Sequence, residues 1–375
     1  MRLIPIEQCQ PGARLARTIF SDTGATLLAK GVILTESILE RLGKLQIPFL
    51  YIEDQYTNSM VPDVEISEET RRQALELIQR TFQTVLDQPD QLITLFSDEQ
   101  LGSRIKEVMS NLIKELLQNR SAMNLLGTSC AIDHYLFSHS FQVTLYALAV
   151  STRLGLTNQE LMKIGIGAML HDVGKMLIPV TILQKPGMLT DAEFDIMKRH
   201  AELGFALLQN SDSNDPLLQF AAECALSHHE RCDGSGYPRG LKQEQIDPMV
   251  RILSVCDVFD ALSSHRVYRR AMLPHVAMEI LFGGVGKHFD QRIVEAFRDT
   301  IALYPLGLFV TLNTGESGVV IGYNQGMPSR PIIRIEQSAQ GEMLASPYEV
   351  DLSRQLNLVI SSSEPIPRVI TNLSF

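Results

Sequence analysis

Five histidines recur at nearly even intervals along the middle of the chain: His139, His171, His200 and the adjacent pair His228 and His229. The gaps between them are 32, 29 and 28 residues, and Asp257 follows His229 by a further 28. Such a gap is the length of one helix and one loop, so a bundle of helices would deliver one ligand group per helix to a common point. Asp172 stands beside His171, and its two carboxylate oxygens suit it to bridge a pair of metal ions. Seven nitrogen and oxygen donors with no thiolate among them fit a dinuclear site for iron, manganese or a similar divalent transition metal. A structural zinc site would close with four ligands and favour cysteine. Lys175, three residues beyond Asp172, would set a compact cation next to an anion held there, so Asp172 and Lys175 are the candidate catalytic groups.

The segments that must carry these residues read as helices. Thr157 with Glu160, and Thr190 with Glu193, are capping boxes. The first opens a helix that runs into His171, the second a helix containing His200. A third helix from about 217 reaches His228 and His229, and a fourth from about 251 to 263 carries Asp257 and Asp260 among apolar residues. Asp260 lies one turn from Asp257 and either orients a ligand from behind or forms a surface ion pair. His134, His265, His275 and His288 read as surface or hydrogen-bonded residues rather than ligands.

On either side the pattern changes. Residues 1–56 read as a small α/β module, with β-prone runs at 16–20 and 25–28 about a turn at Asp22-Thr-Gly24. A helix capped by Thr35 and a strand at 49–52 follow. Residues 57–120 read as a helical linker region with apolar stripes 75, 78, 82, 85 and 101, 105, 108, 112, 116. The turn between them contains Pro89, and a capping box at Ser97 and Gln100 opens the second helix. These helices offer a surface for packing on the next domain or for a homodimer. Residues 305–375 carry β-prone runs at 308–312, 318–323, 331–335 and 356–360 and read as a small all-β module, barrel or sandwich. The fold class is therefore mainly α, a helical bundle over 121–304 with a small α/β module before it and a small β module after it.

Composition narrows the function. The 375 residues are 45% hydrophobic and 20% charged, as in ordinary globular chains. With 33 Lys and Arg against 43 Asp and Glu, the formal charge of −10 argues against a nucleic-acid polymer as partner. The five cysteines are scattered and contain no CxxC pair, so a reducing, cytoplasmic setting is expected. The apolar runs are broken by His139, Gln142 and Arg153 and by His171, Asp172 and Lys175, so no membrane span is expected.

The pentad His171-Asp-Val-Gly-Lys175 together with His228-His-Glu-Arg-Cys-Asp-Gly-Ser-Gly-Tyr-Pro238 resembles the HD-GYP family of HD phosphohydrolases. The likeness extends from about Asp133 through Met197-Lys-Arg-His200, Asp257-Val-Phe-Asp-Ala261 and Arg266-Val-Tyr-Arg269 to His288-Phe-Asp290. It implies an HD-type helical domain and a phosphodiesterase that opens cyclic di-GMP, a bacterial second messenger, to the linear dinucleotide pGpG, with a second cut to GMP left open. It implies metal ligation by His139, His171, Asp172, His200, His228, His229 and Asp257, and substrate contacts from Lys175, Tyr237, Arg266 and Arg269. The chain departs from the family at Arg269, where Lys is common, and at His265, where an acidic residue often stands. At Tyr135 some members carry a Glu associated with a third metal. Two other readings stand beside this one: a related hydrolase of another cyclic dinucleotide or phosphorylated nucleotide, and a non-catalytic nucleotide-binding module. At the lip of the site, Gly236 permits a close approach and Pro238 restricts Tyr237, so the ring is expected to be held in one orientation, to stack on a base or to reach a phosphate through its hydroxyl.

Overall fold

The structure, a computed structural model, describes residues 1–21, 25–45, 47–54, 66–87, 99–118, 135–209, 215–264, 271–324 and 326–363. Arg266, Arg269, His134, His265, the 22–24 turn, Pro89 and the Ser97 cap lie outside these residues, as does the side chain of Tyr135.

Strand β1 (Arg2–Pro5) pairs antiparallel with β4 (Phe49–Ile52), and β2 (Ile19–Phe20) with β3 (Thr26–Leu28). Helix α1 (Glu36–Lys44) lies between them, its first turn closed by Thr35, whose hydroxyl accepts from the Ile38 N–H at 3.3 Å. Helices α2 (Glu68–Asp87) and α3 (Glu99–Gln118) bury the stripes Leu75, Ile78, Phe82, Val85 and Ile105, Val108, Leu112, Leu116 against the domain that follows.

That domain is a bundle of α4 (Tyr135–Arg153), α5 (Asn158–Leu170), the short α6 (Val180–Leu183), α7 (Asp191–Lys198), α8 (His200–Gln209), α9 (Pro216–Ser227), α10 (Pro248–Ser263), α11 (Pro274–Gly283) and α12 (Gln291–Arg298). Helices α4 and α10 are apolar nearly all round, which is the pattern of a helix enclosed by others. Phe141, Val143, Leu145, Leu148 and Val150 of α4 and Val250, Leu253, Val255 and Phe259 of α10 are all buried. Sharp helix starts fix the register of the bundle. Both capping boxes form, and Asp215 and Asp247 accept from the N–H groups of Leu217 and Met249 ahead of Pro216 and Pro248.

One expectation is corrected here. The segment opened by the Thr190 box does not continue through His200. Helix α7 ends at Lys198, where the Arg199 N–H turns back to Ile196 at 3.2 Å, and α8 begins anew at His200.

The last region is a single open antiparallel sheet in the order β8-β7-β6-β5-β9, from β5 (Phe309–Leu312), β6 (Ser317–Asn324), β7 (Met327–Gln337), β8 (Met343–Asp351) and β9 (Ile360–Ser363). It is neither closed nor doubled, so the barrel or sandwich expectation does not hold among the described residues. Strand β8 was not foreseen because Pro347 lies within it, and the sheet accommodates that proline by keeping β8 at its edge. Met1, Leu3, Ala16 and Tyr51 from the beginning of the chain pack into the same core as Val310, Val320, Ile333 and Ile335 of this sheet. Arg2 ties the two ends together through Asp54 and, at 2.6 Å, Glu336.

Candidate metal centre

Three of the histidines sit where a helix stops. The last turn of an α-helix leaves carbonyls without amide partners. The ring of His171 supplies one at the end of α5, its Nδ1 lying 2.6 Å from the carbonyl of Ala168. His200 does the same for Met197 at the end of α7, at 2.7 Å. His228 does so for Ala225 at the end of α9, at 3.0 Å, and also reaches the Cys224 carbonyl, which already accepts the His228 backbone N–H, at 3.0 Å. Each ring is thereby held with Nδ1 toward a carbonyl and Nε2 turned outward, the orientation a metal ligand needs. The broken helix before His200 is part of the same device. Negative helix ends around the site also favour a cation.

The outward nitrogens converge. Donor atoms of Asp172, His200, His228 and His229 form one group within 4.8 Å of one another, and those of His139, His171 and Asp257 form a second. Asp172 faces both groups. Its Oδ2 lies 3.4 Å from the Nε2 of His139 and 3.4 Å from that of His171, while its Oδ1 lies 3.5 Å from His200 and 3.7 Å from His228. Asp257 Oδ1 is 3.0 Å from His139 Nε2. All seven candidate ligands therefore meet, and all but the half-buried His229 are buried. His275 and His288 lie elsewhere, on Ser363 and Arg231.

The donors fit divalent ions. His171 Nε2 and Asp172 Oδ1 are buried and meet no partner in hydrogen-bonding geometry. A buried polar atom left in that state costs about 1 to 3 kcal/mol, a cost that ligation removes. Burial, with Lys175 nearby, lowers His200 to about 4, and burial with His171 and His200 lowers His228 to about 3, so both are neutral bases at physiological pH. Burial also pushes His229 well down. At His139 burial pulls the same way but is outweighed by Asp172, Asp257 and Asp260, which raise it to about 10. Burial opposes the charge on Asp172 as well, yet Lys175 and His171 hold it well below the usual carboxylate range. A site that retains a proton so firmly among carboxylates also favours a cation, and binding one there displaces that proton. Buried Cys256, whose thiol burial pushes far up, remains a neutral neighbour of Asp257.

Residues around the ligands complete the site. Asp260, the group whose role was open, is 1% exposed, and its Oδ2 lies 2.7 Å from His139 Nδ1, so it orients that ring from behind. Asp260→Ala is expected to lower metal affinity about 10- to 100-fold, the usual cost of losing such a partner, with Asp260→Asn recovering part of it; chelator competition measures this. Lys175 sits on a 3-10 turn, residues 173–177, rather than on a continuing helix, and its Nζ lies 2.5 Å from Asp172 Oδ2. It neutralises the shared carboxylate as well as standing beside it. Tyr237 stacks on His229, with ring centroids 4.7 Å apart at 29°, and the Tyr237–Pro238 peptide is cis. Gly236 passes so close beneath it that a Cβ would lie 2.5 Å from Glu230 Cα and His229 O.

Glu230 was not singled out in the sequence beyond its place in the motif. It is buried, and its carboxylate accepts from the N–H groups of Arg239 at 2.7 Å and Leu241 at 2.9 Å, pinning the loop that holds Tyr237. An acidic residue directly after two ligands was the available signal.

Residues 107–293 match the HD domain model, and 309–366 match a KOW domain associated with HD domain. The chain is 34% identical over 268 residues to the cyclic di-GMP phosphodiesterase PA4108 of Pseudomonas aeruginosa, covering 70% of this chain and 64% of that protein. It is 39% identical over 230 residues to the cyclic di-GMP phosphodiesterase response regulator RpfG of Xanthomonas campestris, covering 61% and 53%. It is 40% identical over 158 residues to 3'3'-cGAMP-specific phosphodiesterase 2 of Vibrio cholerae, covering 42% and 30%. The chain thus spans under two thirds of each of these relatives. With its histidine and aspartate motifs intact on the helices of that domain, it belongs to the HD domain family, in the HD-GYP branch.

Proposed function

We propose that the chain is a metal-dependent phosphodiesterase that hydrolyses cyclic di-GMP to pGpG, using two divalent transition-metal ions, iron or manganese, held by His139, His171, Asp172, His200, His228, His229 and Asp257. The observation that carries this reading is the division of Asp172, with one oxygen toward His139 and His171 and the other toward His200 and His228. Two such ions stabilise charge on a phosphoryl group and make a water acidic enough to attack phosphorus near neutral pH. Asp172 sets the spacing between the two ligand groups. Lys175, paired to Asp172, offers further N–H donors to non-bridging phosphate oxygens as charge builds on them. Arg266 and Arg269, outside the described residues, are further substrate contacts in this proposal. Free Cys9, Cys224, Cys232 and Cys256 fit a reducing, cytoplasmic setting.

Tyr237 lies on the solvent side of the site, against the one ligand that is not fully buried. Burial, together with Asp257 and Asp172, raises its hydroxyl well above the ordinary value, so it stays protonated and can donate. Tyr237→Phe keeps the ring on His229 and removes the donor. A hydrogen bond to a charged oxygen contributes about 1.5 to 3 kcal/mol, so kcat/KM is expected to fall roughly 10- to 100-fold, and further in Tyr237→Ala. Equal, wild-type kinetics in both variants would reduce the lip to a structural turn.

The decisive experiment is chromatography of cyclic di-GMP after incubation with anaerobically purified, metal-loaded protein. Appearance of pGpG is expected. If cyclic di-GMP persists while 3'3'-cGAMP is consumed, the substrate assignment is wrong and the related-hydrolase reading takes its place.

A further inference from the structure

We infer that Phe194 and Tyr237 form an aromatic corner that receives a purine base of the substrate, which makes Phe194 a specificity-determining residue. The inference rests on the phosphodiesterase reading above. Phe194 stands on α7 and is 47% exposed, outside the core. Its centroid lies 6.4 Å from that of Tyr237, with the planes at 82°. Tyr237 in turn stacks on His229 at 4.7 Å, so three rings step outward from a candidate ligand to the surface.

The two rings meet edge to face, a favourable pairing at this distance that leaves a corner between them. The angle between them suits a flat third ring that stacks on one and meets the edge of the other. A phosphodiester reacting beside Asp172 carries its base one sugar away, beyond Tyr237, which already has a ring face against His229. Phe194 is the next aromatic surface outward. Lys198, tied to Asp195 at 2.6 Å, places its Nζ 5.1 Å from the Phe194 centroid. An ammonium at that height can meet the acceptor edge of guanine, where O6 and N7 lie side by side.

The test uses the full, manganese-loaded chain as wild type, Phe194→Ala and Phe194→Tyr. Calorimetric titration with GMP and with ribose 5-phosphate separates the base from the phosphate. Wild type is expected to bind GMP about tenfold or more tighter than ribose 5-phosphate, within the range of one base–aromatic stack. Phe194→Ala should erase that difference and Phe194→Tyr restore it. In steady-state kinetics Phe194→Ala should raise KM for cyclic di-GMP about tenfold and change kcat little. A GMP preference that survives in Phe194→Ala, or that wild type lacks, overturns the inference whatever cleavage shows. If wild type leaves cyclic di-GMP intact but its GMP preference depends on Phe194, the corner stands and the phosphodiesterase reading falls.

Discussion

Asp172→Ala is expected to lose both metal and activity while remaining folded. Each carboxylate oxygen of Asp172 faces a different ligand group, at 3.4 Å from His139 and His171 and at 3.5 and 3.7 Å from His200 and His228. Alanine removes a donor from both groups at once; Asp257, the other carboxylate that reaches both, meets only His229 of the first group, at 3.9 Å. Elemental analysis should find far less than two ions per chain. Turnover should fall at least about a thousandfold, which corresponds to roughly 4 kcal/mol of transition-state stabilisation. The fold should survive, because the freed Lys175 is half-buried and can carry its ammonium to water along a flexible stem. Asp172→Asn tests the charge, since its amide offers one acceptor where the carboxylate offers two. Lys175→Ala should behave differently, keeping the metal and losing turnover about 100-fold, because its nitrogen stands beside the shared carboxylate as a donor and belongs to neither ligand group. Near-normal content of two ions in Asp172→Ala would remove the shared-carboxylate assignment.

The regular spacing of histidines made the candidate site legible in part because three of the candidate ligands mark helix ends. A residue that closes the last turn of a helix recurs at the period of helix plus loop, and His171, His200 and His228 each do so through Nδ1. The capping boxes at Thr157 and Thr190 were equally readable, since a box is local chemistry between residues three apart. What stayed hidden depends on neighbours distant in sequence. Asp260 could face solvent or core until α4 was packed on α10, where it meets His139 across 121 residues. The break before His200 was missed because the apolar pattern runs straight through it, while the ring that satisfies Met197 belongs to the next helix. Phe194 reads in sequence as one more apolar residue of an amphipathic helix, and only the fold sets it against Tyr237. Strand β1 was passed over because four residues ending in proline carry little β signal alone; its pairing with β4 supplies the rest.

The glycine of the 171–175 pentad shows the same limit, and its substitution is expected to be the most damaging single-carbon change near the site. Gly174 lies on the 3-10 turn that follows the ligand pair, pressed against the start of α8. A Cβ built there would lie 2.0 Å from the His200 carbonyl oxygen and 2.5 Å from the Gly204 nitrogen, both backbone atoms that cannot swing aside. Relief therefore requires the turn and α8 to part. The turn begins at Asp172 and α8 begins at His200, so that movement widens the 3.5 Å gap between Asp172 Oδ1 and His200 Nε2 on which one ligand group depends. Forcing a methyl into a closed contact costs about 1 to 3 kcal/mol, and more where backbone must shift. Gly174→Ala should accordingly lower Tm by roughly 5 to 10 °C. It should also bind metal at least tenfold more weakly, because a site loosened by about 0.5 Å no longer holds its geometry. Gly43→Ala is the control. Its Cβ meets nothing within 4 Å on α1, and alanine there should leave metal content unchanged and raise stability by up to about 1 kcal/mol. Differential scanning calorimetry with parallel metal analysis reads both outcomes. Wild-type metal content and Tm in Gly174→Ala would show that α8 yields to the turn freely and that their contact does not set the site.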